Sequence, residues 1–406
     1  MLSVTDSSEA EALADRARRL MDEVVIPAER ELSGGTTVSE GTVRELREAA
    51  REYEVYAPQI GTEHGGMGYD FRDVLPTFEE AGRSALGPMA MRVDAPDEGN
   101  MHLLEMHGTA LQKEQYLEPL VEGRMKSGFA MTEPMQGGGS DPKMLQTTAE
   151  RDGDDWIIDG HKWWTTQGID ADVLLVFARS DAEAHPYEGS SVFLVPTDAP
   201  GVEIVRNIPH MGGETTGKGH AEVVFDGVRV PEEHLLGEEG EGFAHVQERL
   251  GPARLTHCMR FSGMGERALS IAKAYLSERE GFGGPLSERQ APRFEIAEME
   301  TRLQAARALN RQAAAEIAAG EEARVAVSMS KVFTANVVQD VVDTAVQYTG
   351  GNGIAKDLPL AEFYQNVRQF RIIDGADEVH KRTIARDAFA DVDPSELEQV
   401  TRFGEP

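Results

Sequence analysis

The stretch whose residue types could carry chemistry on their own is FRIIDGADEVHKRTIAR, residues 370–386. Within it Asp374 stands directly before Gly375, in a short polar break between the apolar pair Ile372-Ile373 and a resuming helical pattern. A carboxylate at such a break can be aimed into a cavity, because the glycine lets backbone and ligand approach closely. Asp374 is therefore a candidate general base. The alternative is structural: Asp374 caps the following helix, with Asp377 and Glu378 complementing the positive end of its dipole.

Four further constellations set glycines or aromatics beside groups that suit a large anionic or planar ligand. FAMTEPMQGGGSD (129–141) offers the Thr132 hydroxyl and, at Gly137-Gly138-Gly139, backbone that an anion or ring can approach. It could equally be a flexible loop. WIIDGHKWWTT (156–166) puts Trp164 and Thr166 two residues apart, on one face of a strand. An indole with a neighbouring hydroxyl suits one face of a heterocycle, while a half-buried core Trp is the plainer reading. In LSEREGFGGPLSERQ (276–290) Arg279 precedes a Gly-Phe-Gly bend, as a pyrophosphate clamp or merely a glycine-capped helix end. QYTGGNGI (347–354) sets Gln347 at a helix end with Gly350, Gly351 and Gly353 behind it. None of these matches G-x-G-x-x-G after a strand, which disfavours a nicotinamide-type dinucleotide fold.

The elements that must position these residues change texture twice. From about residue 7 to 124 apolar residues recur at helical spacing, notably over Thr42–Tyr53 and Leu103–Val121, with breaks such as GTEHGGMGYD (61–70). From about residue 125 short runs such as VLLVFA (173–178), SVFLV (191–195) and AEVVF (221–225) follow one another without helices, punctuated by Asp159-Gly160 and Asp226-Gly227 as hairpin-type turns. Closely spaced strands of this kind form an antiparallel barrel or sandwich. From about Gly242 helical patterns return, with stripes through Ile296, Met299, Leu303 and Ala306 and through Val325, Met329 and Val332. The expectation is an α+β fold with a helical domain over 1–124, a β-domain over 125–238 and a second helical domain over 239–406.

Composition limits what such a chain can do. Its 406 residues, 40% hydrophobic and 27% charged, suffice for two or three cores. Asp plus Glu number 71 against 40 Lys plus Arg, a net charge of -31 that repels nucleic acid and anionic membranes. A dispersed acidic surface with little Lys resembles proteins of salt-loaded, halophilic cytoplasms, where screening relieves self-repulsion. The single cysteine, Cys258, excludes an intrachain disulfide and four-Cys zinc sites, and reads as a buried inert thiol; no metal site is expected. An acid-rich N-terminus without an apolar core segment, and no run of 18 apolar residues, predict a soluble cytoplasmic protein.

In this order and at these separations the motifs resemble the acyl-CoA dehydrogenase family over nearly the whole chain. GTEHGGMGY, TEP…GSD, W-x-I-D-G-x-K-x-W-x-T, EGEGF (239–243), R-E-x-F-G ahead of Gln290, Q-x-x-G-G-N-G and the terminal carboxylate-Gly segment carry the likeness. It implies an N-terminal helical domain, a middle β-domain and a C-terminal four-helix bundle enclosing FAD and an acyl thioester. By matching position, Phe129, Met131, Thr132, Trp164 and Thr166 line the flavin. Arg279, Gln290, Gln347, Gly350 and Gly351 hold its diphosphate and adenine ends, some across a subunit interface. Ser140, Arg254 and Gly375 belong to the substrate site, and Asp374 is the base, its pKa raised by burial beside the acyl chain.

Two departures accompany the likeness. The Pro134–Ser140 loop holds five residues where the usual pattern has three, and the terminus reads IIDGADEVH where many members have Glu-Gly-Thr-Ser-Gln, so that Ala376 and Glu378 replace a hydroxyl and an amide. The latter is similar to animal family members ten and eleven, which act on long or branched acyl chains. The resemblance implies dehydrogenation of a saturated medium, long or branched acyl-CoA to the trans-2-enoyl thioester, electrons passing to an electron-transfer flavoprotein, in a homotetramer or homodimer. An acyl-CoA or nitroalkane oxidase on the same scaffold, and a non-catalytic flavoprotein, remain as alternatives.

Overall fold

The computed structural model describes residues 6–32, 35–321, 323–393 and 395. The N-terminal part is built on helices α1 (Ser8–Leu20), α2 (Glu40–Glu52), α3 (Phe71–Gly82) and α4 (Asp97–His107), joined by shorter turns. Serines set two of the starts: the Ser7 hydroxyl accepts from the Ala10 N–H and the Ser39 hydroxyl from the Thr42 N–H. The periodic run over 103–121 is two pieces, because Gly108 ends α4 in extended backbone and Thr109 caps the next turn.

Eight strands follow: β1 (Ser127–Ala130), β2 (Thr148–Asp152), β3 (Asp155–Thr166), β4 (Val173–Arg179), β5 (Ser190–Pro196), β6 (Val202–Asn207), β7 (His220–Pro231) and β8 (Leu235–Leu236). They form one sheet in the order β6-β7-β3-β2-β4-β5-β8, with β1 also on β4. Most pairs are antiparallel as expected. The β1–β4 and β2–β4 pairs are parallel, since the β2–β3 hairpin reverses the chain twice before β4 begins, so the sheet is mixed.

The continuous apolar run of β4 is explained by burial on both faces. Val173, Leu175 and Phe177 pack into the helical core, and Leu174, Val176 and Ala178 into the core on the other side of the sheet. The two Asp-Gly pairs are not turns. They face each other inside the long strands β3 and β7, where the register shifts and the Gly227 N–H donates to Asp159 Oδ1 at 2.8 Å. Gly160 is needed there because a Cβ would sit 2.4 Å from Thr147.

Helices return as α5 (Gly242–Glu278), α6 (Gln290–Ala318) and α7 (Arg324–Thr349), then the shorter α8 (Leu360–Phe370) and α9 (Asp377–Ala388). Asn310 contacts both Met259 and Thr334, while Gly265 faces Leu303, Val338 and Val341. Thus α5 and α7 advance together and α6 runs back between the same levels. Met299, Leu303 and Ala306 are buried as the periodicity predicts, with Ile296 packed against them. The second stripe is displaced: Met329 is exposed, and α7 instead buries Val327, Ser328, Lys331, Thr334, Val338 and Val341. That shift matters, because it turns Ser328 and Lys331 towards the loop that carries Asp374. Among the described residues no helix is long and apolar enough to cross a membrane, and no cluster of three or more His, Cys, Asp or Glu could hold a metal ion.

Candidate active site

Helix α8 ends at Phe370 and α9 begins at Asp377 with Ala376 as its N-cap, so Asp374 does not cap α9. Asp374 adopts a left-handed conformation, φ 54°, followed by Gly375 at φ 101°. A non-glycine residue held there needs bonds from its surroundings. The Arg254 Nε–H (2.9 Å) and the His380 Nε2–H (3.1 Å) both donate to the Asp374 carbonyl, and the Lys331 ammonium donates to the Gly375 carbonyl at 2.8 Å. Gly375 is required, because a Cβ would stand 2.7 Å from His380 Nε2.

The Asp374 carboxylate lies 3.2 Å from His257 Nδ1, measured from Oδ2. That ring nitrogen donates instead to the Ala253 carbonyl at 2.7 Å, which leaves Oδ2 buried with no hydrogen-bond partner. Burial, reinforced by Arg260, pushes His257 down to about 4, so the imidazole is neutral near pH 7. Burial also opposes ionisation of Asp374, yet the adjacent His257, and after it Arg249, Arg254 and Lys331, hold it below the usual aspartate value. In the protein alone the pKa of Asp374 is thus lowered, not raised: the groups around the carboxylate outweigh its desolvation by the fold.

The wall facing this carboxylate is polar. Burial raises the pKa of Glu98 despite Arg260 and Arg249, and Thr256 donates to it. Arg249 is buried, bonds Asn100 Oδ1 at 2.9 Å and lies over the Phe129 ring, 4.1 Å from its centroid. Cys258 is buried and its thiol is pushed up to about 12 by burial, an inert group. Phe129, Arg254 and Asp374 are thus brought together. Sequence reasoning missed Arg249, His257, Lys331 and His380; the signal for the first two was the recurrence of Arg249, Arg254, His257 and Arg260 at near-helical intervals on a helix otherwise buried.

Trp164 and Thr166 do not follow simple strand alternation. A register shift separates Lys162 from Thr165, and Trp164 takes a left-handed φ of 56°, leaving its indole 42% exposed. Both residues nevertheless converge on His220: Thr166 Oγ1 is 3.0 Å from His220 Nδ1, and the Trp164 and His220 ring centroids are 5.4 Å apart. Burial brings His220 down to about 4. The adjoining loop docks on α8, the Gly212 N–H donating to Gln365 (2.7 Å) and the Gly213 N–H to Asn366 (3.2 Å). The loop leading to His220 and the turn that carries Asp374 are therefore both attached to α8, the first along its length and the second at its C-terminal end.

Beneath this region lies the ion pair of Lys162 and Glu133, 3.2 Å apart and almost fully buried. The Lys162 ammonium also donates to the Met131 carbonyl, and Glu133 accepts from the Gly138, Gln146 and Thr147 N–H groups and the Thr147 hydroxyl. Burial lowers Lys162 to about 8, whereas Lys162 and the donors around Glu133 outweigh its burial and hold it at about 2. The pair fixes the Met131-Thr132 backbone, from which the Thr132 carbonyl accepts the Trp163 N–H at 3.0 Å. Ser140 is exposed at the lip of a small hollow shared with Met131, Gly139 and Phe177.

The remaining expected residues lie elsewhere. Arg279 follows the end of α5, Gln290 opens α6, and Gln347 with Gly350 and Gly351 closes α7, so all five share one end of the bundle. Tyr348 feels the charge of Glu295, as that arrangement requires. Lys331, beside the Asp374 loop, is about 28 Å away along α7 at 1.5 Å per residue. Within one chain these residues are not brought to Asp374. A Cβ on Gly350 or Gly351 would meet nothing within 4 Å.

Three family models match in sequence: acyl-CoA dehydrogenase N-terminal domain over 7–124, middle domain over 128–228 and C-terminal domain over 240–389. The probable acyl-CoA dehydrogenase FadE2 of Mycobacterium tuberculosis is 41% identical over 85% of this chain and 84% of its own length. The chain belongs to the acyl-CoA dehydrogenase family. It is an oxidoreductase with the family's three-part fold, and family members are FAD-dependent enzymes of acyl-CoA dehydrogenation. Chicken acyl-CoA dehydrogenase family member 11 is 35% identical over 91% of this chain, which spans 49% of that longer protein. Butyryl-CoA dehydrogenase from Megasphaera elsdenii superposes with a TM-score of 0.84 at 27% identity, over 95% of this chain and 99% of that one.

The residues present suit a flavin and a thioester. An exposed indole on strained backbone, open glycines at the bundle end and an unpartnered buried carboxylate oxygen are features that a folded core does not need.

Proposed function

We propose that this chain oxidises a saturated acyl-CoA, medium to long or branched, to the trans-2-enoyl thioester, with electrons passing to an electron-transfer flavoprotein. The observation that carries the proposal is Asp374 Oδ2, buried, ionised and free of hydrogen-bond donors, on a loop clamped at both of its carbonyls. A base so placed takes the α-proton of a thioester held against Phe129 and the 249–260 face of α5. FAD, when bound, supplies the acceptor for the β-hydride. Phe129, Met131, Thr132, Trp164 and Thr166 line the ring, the indole by stacking and the strand backbone by its rigid support on Lys162 and Glu133. Ser140 and Gly375 border the thioester, and Arg254 acts there through the Asp374 carbonyl. The domains divide near residues 124 and 238.

Arg279, Gln290, Gln347, Gly350 and Gly351 then serve the FAD of a second copy. This reading draws support from Phe282 (94% exposed), Phe294 (66%) and Ile354 (72%), large apolar side chains left uncovered at that same bundle end. The assembly is a homotetramer or homodimer in a soluble, salt-adapted cytoplasmic setting. Anaerobic bleaching of the flavin absorbance by a panel of straight and branched acyl-CoAs tests the activity. No bleaching by any of them, or rapid reoxidation by oxygen with peroxide release, overturns it. A monomer with full FAD content in sedimentation overturns the shared site.

A further inference from the structure

We infer that His380 is a positioning residue for the base, and that Ser328 selects the imidazole tautomer it needs; the inference rests on the reading of Asp374 given above. A carbonyl oxygen can only accept, so the His380 nitrogen 3.1 Å from the Asp374 carbonyl, Nε2, carries the proton. In the neutral ring Nδ1 is then an acceptor, and the Ser328 hydroxyl, 3.2 Å away, donates to it. His380 and Ser328 are 3% and 4% exposed, so neither trades its partner for water. The ring does two things to the turn. Together with Arg254, its N–H holds the carbonyl of the left-handed Asp374, and its Nε2 fills the space a Cβ at Gly375 would take. His380 sits on α9 and Ser328 on α7, so a relay across two helices supplies one of the two bonds on the Asp374 carbonyl, the other coming from Arg254 on α5. Burial keeps this imidazole neutral, at about 4, with Arg254 and Lys331 beside it.

Without the His380 donor, Asp374 relaxes towards ordinary backbone and its carboxylate turns away from His257 and the Phe129 wall. A displacement of about 1 Å costs on the order of 100-fold in a positioned reaction. The test compares His380→Leu, His380→Gln and Ser328→Ala with the parent as FAD-loaded protein. Anaerobic stopped flow gives the flavin reduction rate with the acyl-CoA that bleaches the parent best, and titration with its enoyl-CoA gives binding. His380→Leu reduces its flavin about 30- to 100-fold more slowly, with enoyl-CoA affinity within about threefold. His380→Gln, which keeps a donor near the ε position, recovers most of that loss, and Ser328→Ala falls between. Equal losses in the Leu and Gln variants, or parental reduction in the Leu variant, overturn the inference. Crystal structures of the parent and His380→Leu decide it without activity: Asp374 leaves φ near 54° in the variant, and an unchanged turn refutes the role. If the parent bleaches with no acyl-CoA, the proposed function fails while the crystals still judge His380.

Discussion

Replacement of Asp374 by Asn is the perturbation with the best-defined outcome. It exchanges one carboxylate oxygen for an amide and leaves the backbone bonds in place, because Arg254, His380 and Lys331 donate to main-chain carbonyls that Asn also has. Asn tolerates left-handed backbone as readily as Asp, so the turn survives. Removing a general base costs about 10²- to 10⁴-fold, and the surroundings put the loss in the upper half of that range. Asp377 Oδ2 already accepts from Arg371 (2.9 Å) and Asn336 (3.0 Å), and Glu98 is drawn by burial towards its neutral form. His257 Nδ1, the nitrogen nearest the lost carboxylate, is a donor to Ala253 and not a base. No neighbour substitutes. The expected loss in the anaerobic rate of flavin reduction is about 10³-fold or more, roughly 4 kcal/mol of transition-state stabilisation, with FAD content and acyl-CoA binding retained. Reduction within tenfold of the parent, or an Asp377→Asn variant that loses activity in its place, would falsify the assignment.

The depressed pKa of Asp374 gives a pH profile. A carboxylate held below its ordinary value is ionised above that value and loses its charge only as pH falls through the lower one, so kcat/KM stays level from pH ~8 down to pH ~5; an acid limb between pH 6 and 7, about where a raised carboxyl would titrate, contradicts a depressed Asp374. Trp164→Ala weakens FAD retention by about 1–3 kcal/mol if stacking on the ring resembles stacking on a nucleobase, read as FAD content after dialysis; full retention removes Trp164 from the site. Lys162→Met strands the Glu133 charge and lowers stability by about 3 kcal/mol, the low end for a broken buried pair because Glu133 keeps its backbone donors. The double variant with Glu133→Gln regains part of this in denaturant melts, and an unchanged midpoint for the single variant refutes the argument. The net charge of -31 predicts a thermal midpoint that rises from dilute buffer to about 1 M KCl, where screening acts within about 3 Å; no rise means the acidic surface is not a salt adaptation.

How far the chain could be read in advance depends on how local each determinant is. Helical periodicity is local, so the three textures were legible, down to Met299, Leu303 and Ala306 on one buried face. Asp-Gly is also a local signal, and it misled, because its preference for turns is equally a preference for the bulges that bend a long strand. Only the pairing of β3 with β7, fixed by residues more than 50 positions apart, shows that Asp159-Gly160 and Asp226-Gly227 face each other. The parallel β1–β4 pair is of the same kind, since no feature of SGFA or VLLVFAR states which strand it will meet.

The candidate site divides along the same line. Asp374 was legible because a glycine follows it and a helical pattern breaks around it, both within a few residues. Its ionisation was not, because the groups that decide it arrive on α5 and α7, and desolvation beside an acyl chain has the opposite sign. The misplaced stripe on α7 compounds this: a reading that buries Val325, Met329 and Val332 leaves Ser328 at the stripe's edge and turns Lys331 to solvent, whereas the packed helix buries both against the Asp374 turn. A buried lysine costs free energy unless its ammonium is bonded, and the carbonyl of Gly375 is what Lys331 bonds. The polar residues that periodicity assigns to the outside of a helix are therefore the ones that identify where a functional turn docks, and a Ser and a Lys three residues apart on an apolar helix are reason to look for the backbone they hold.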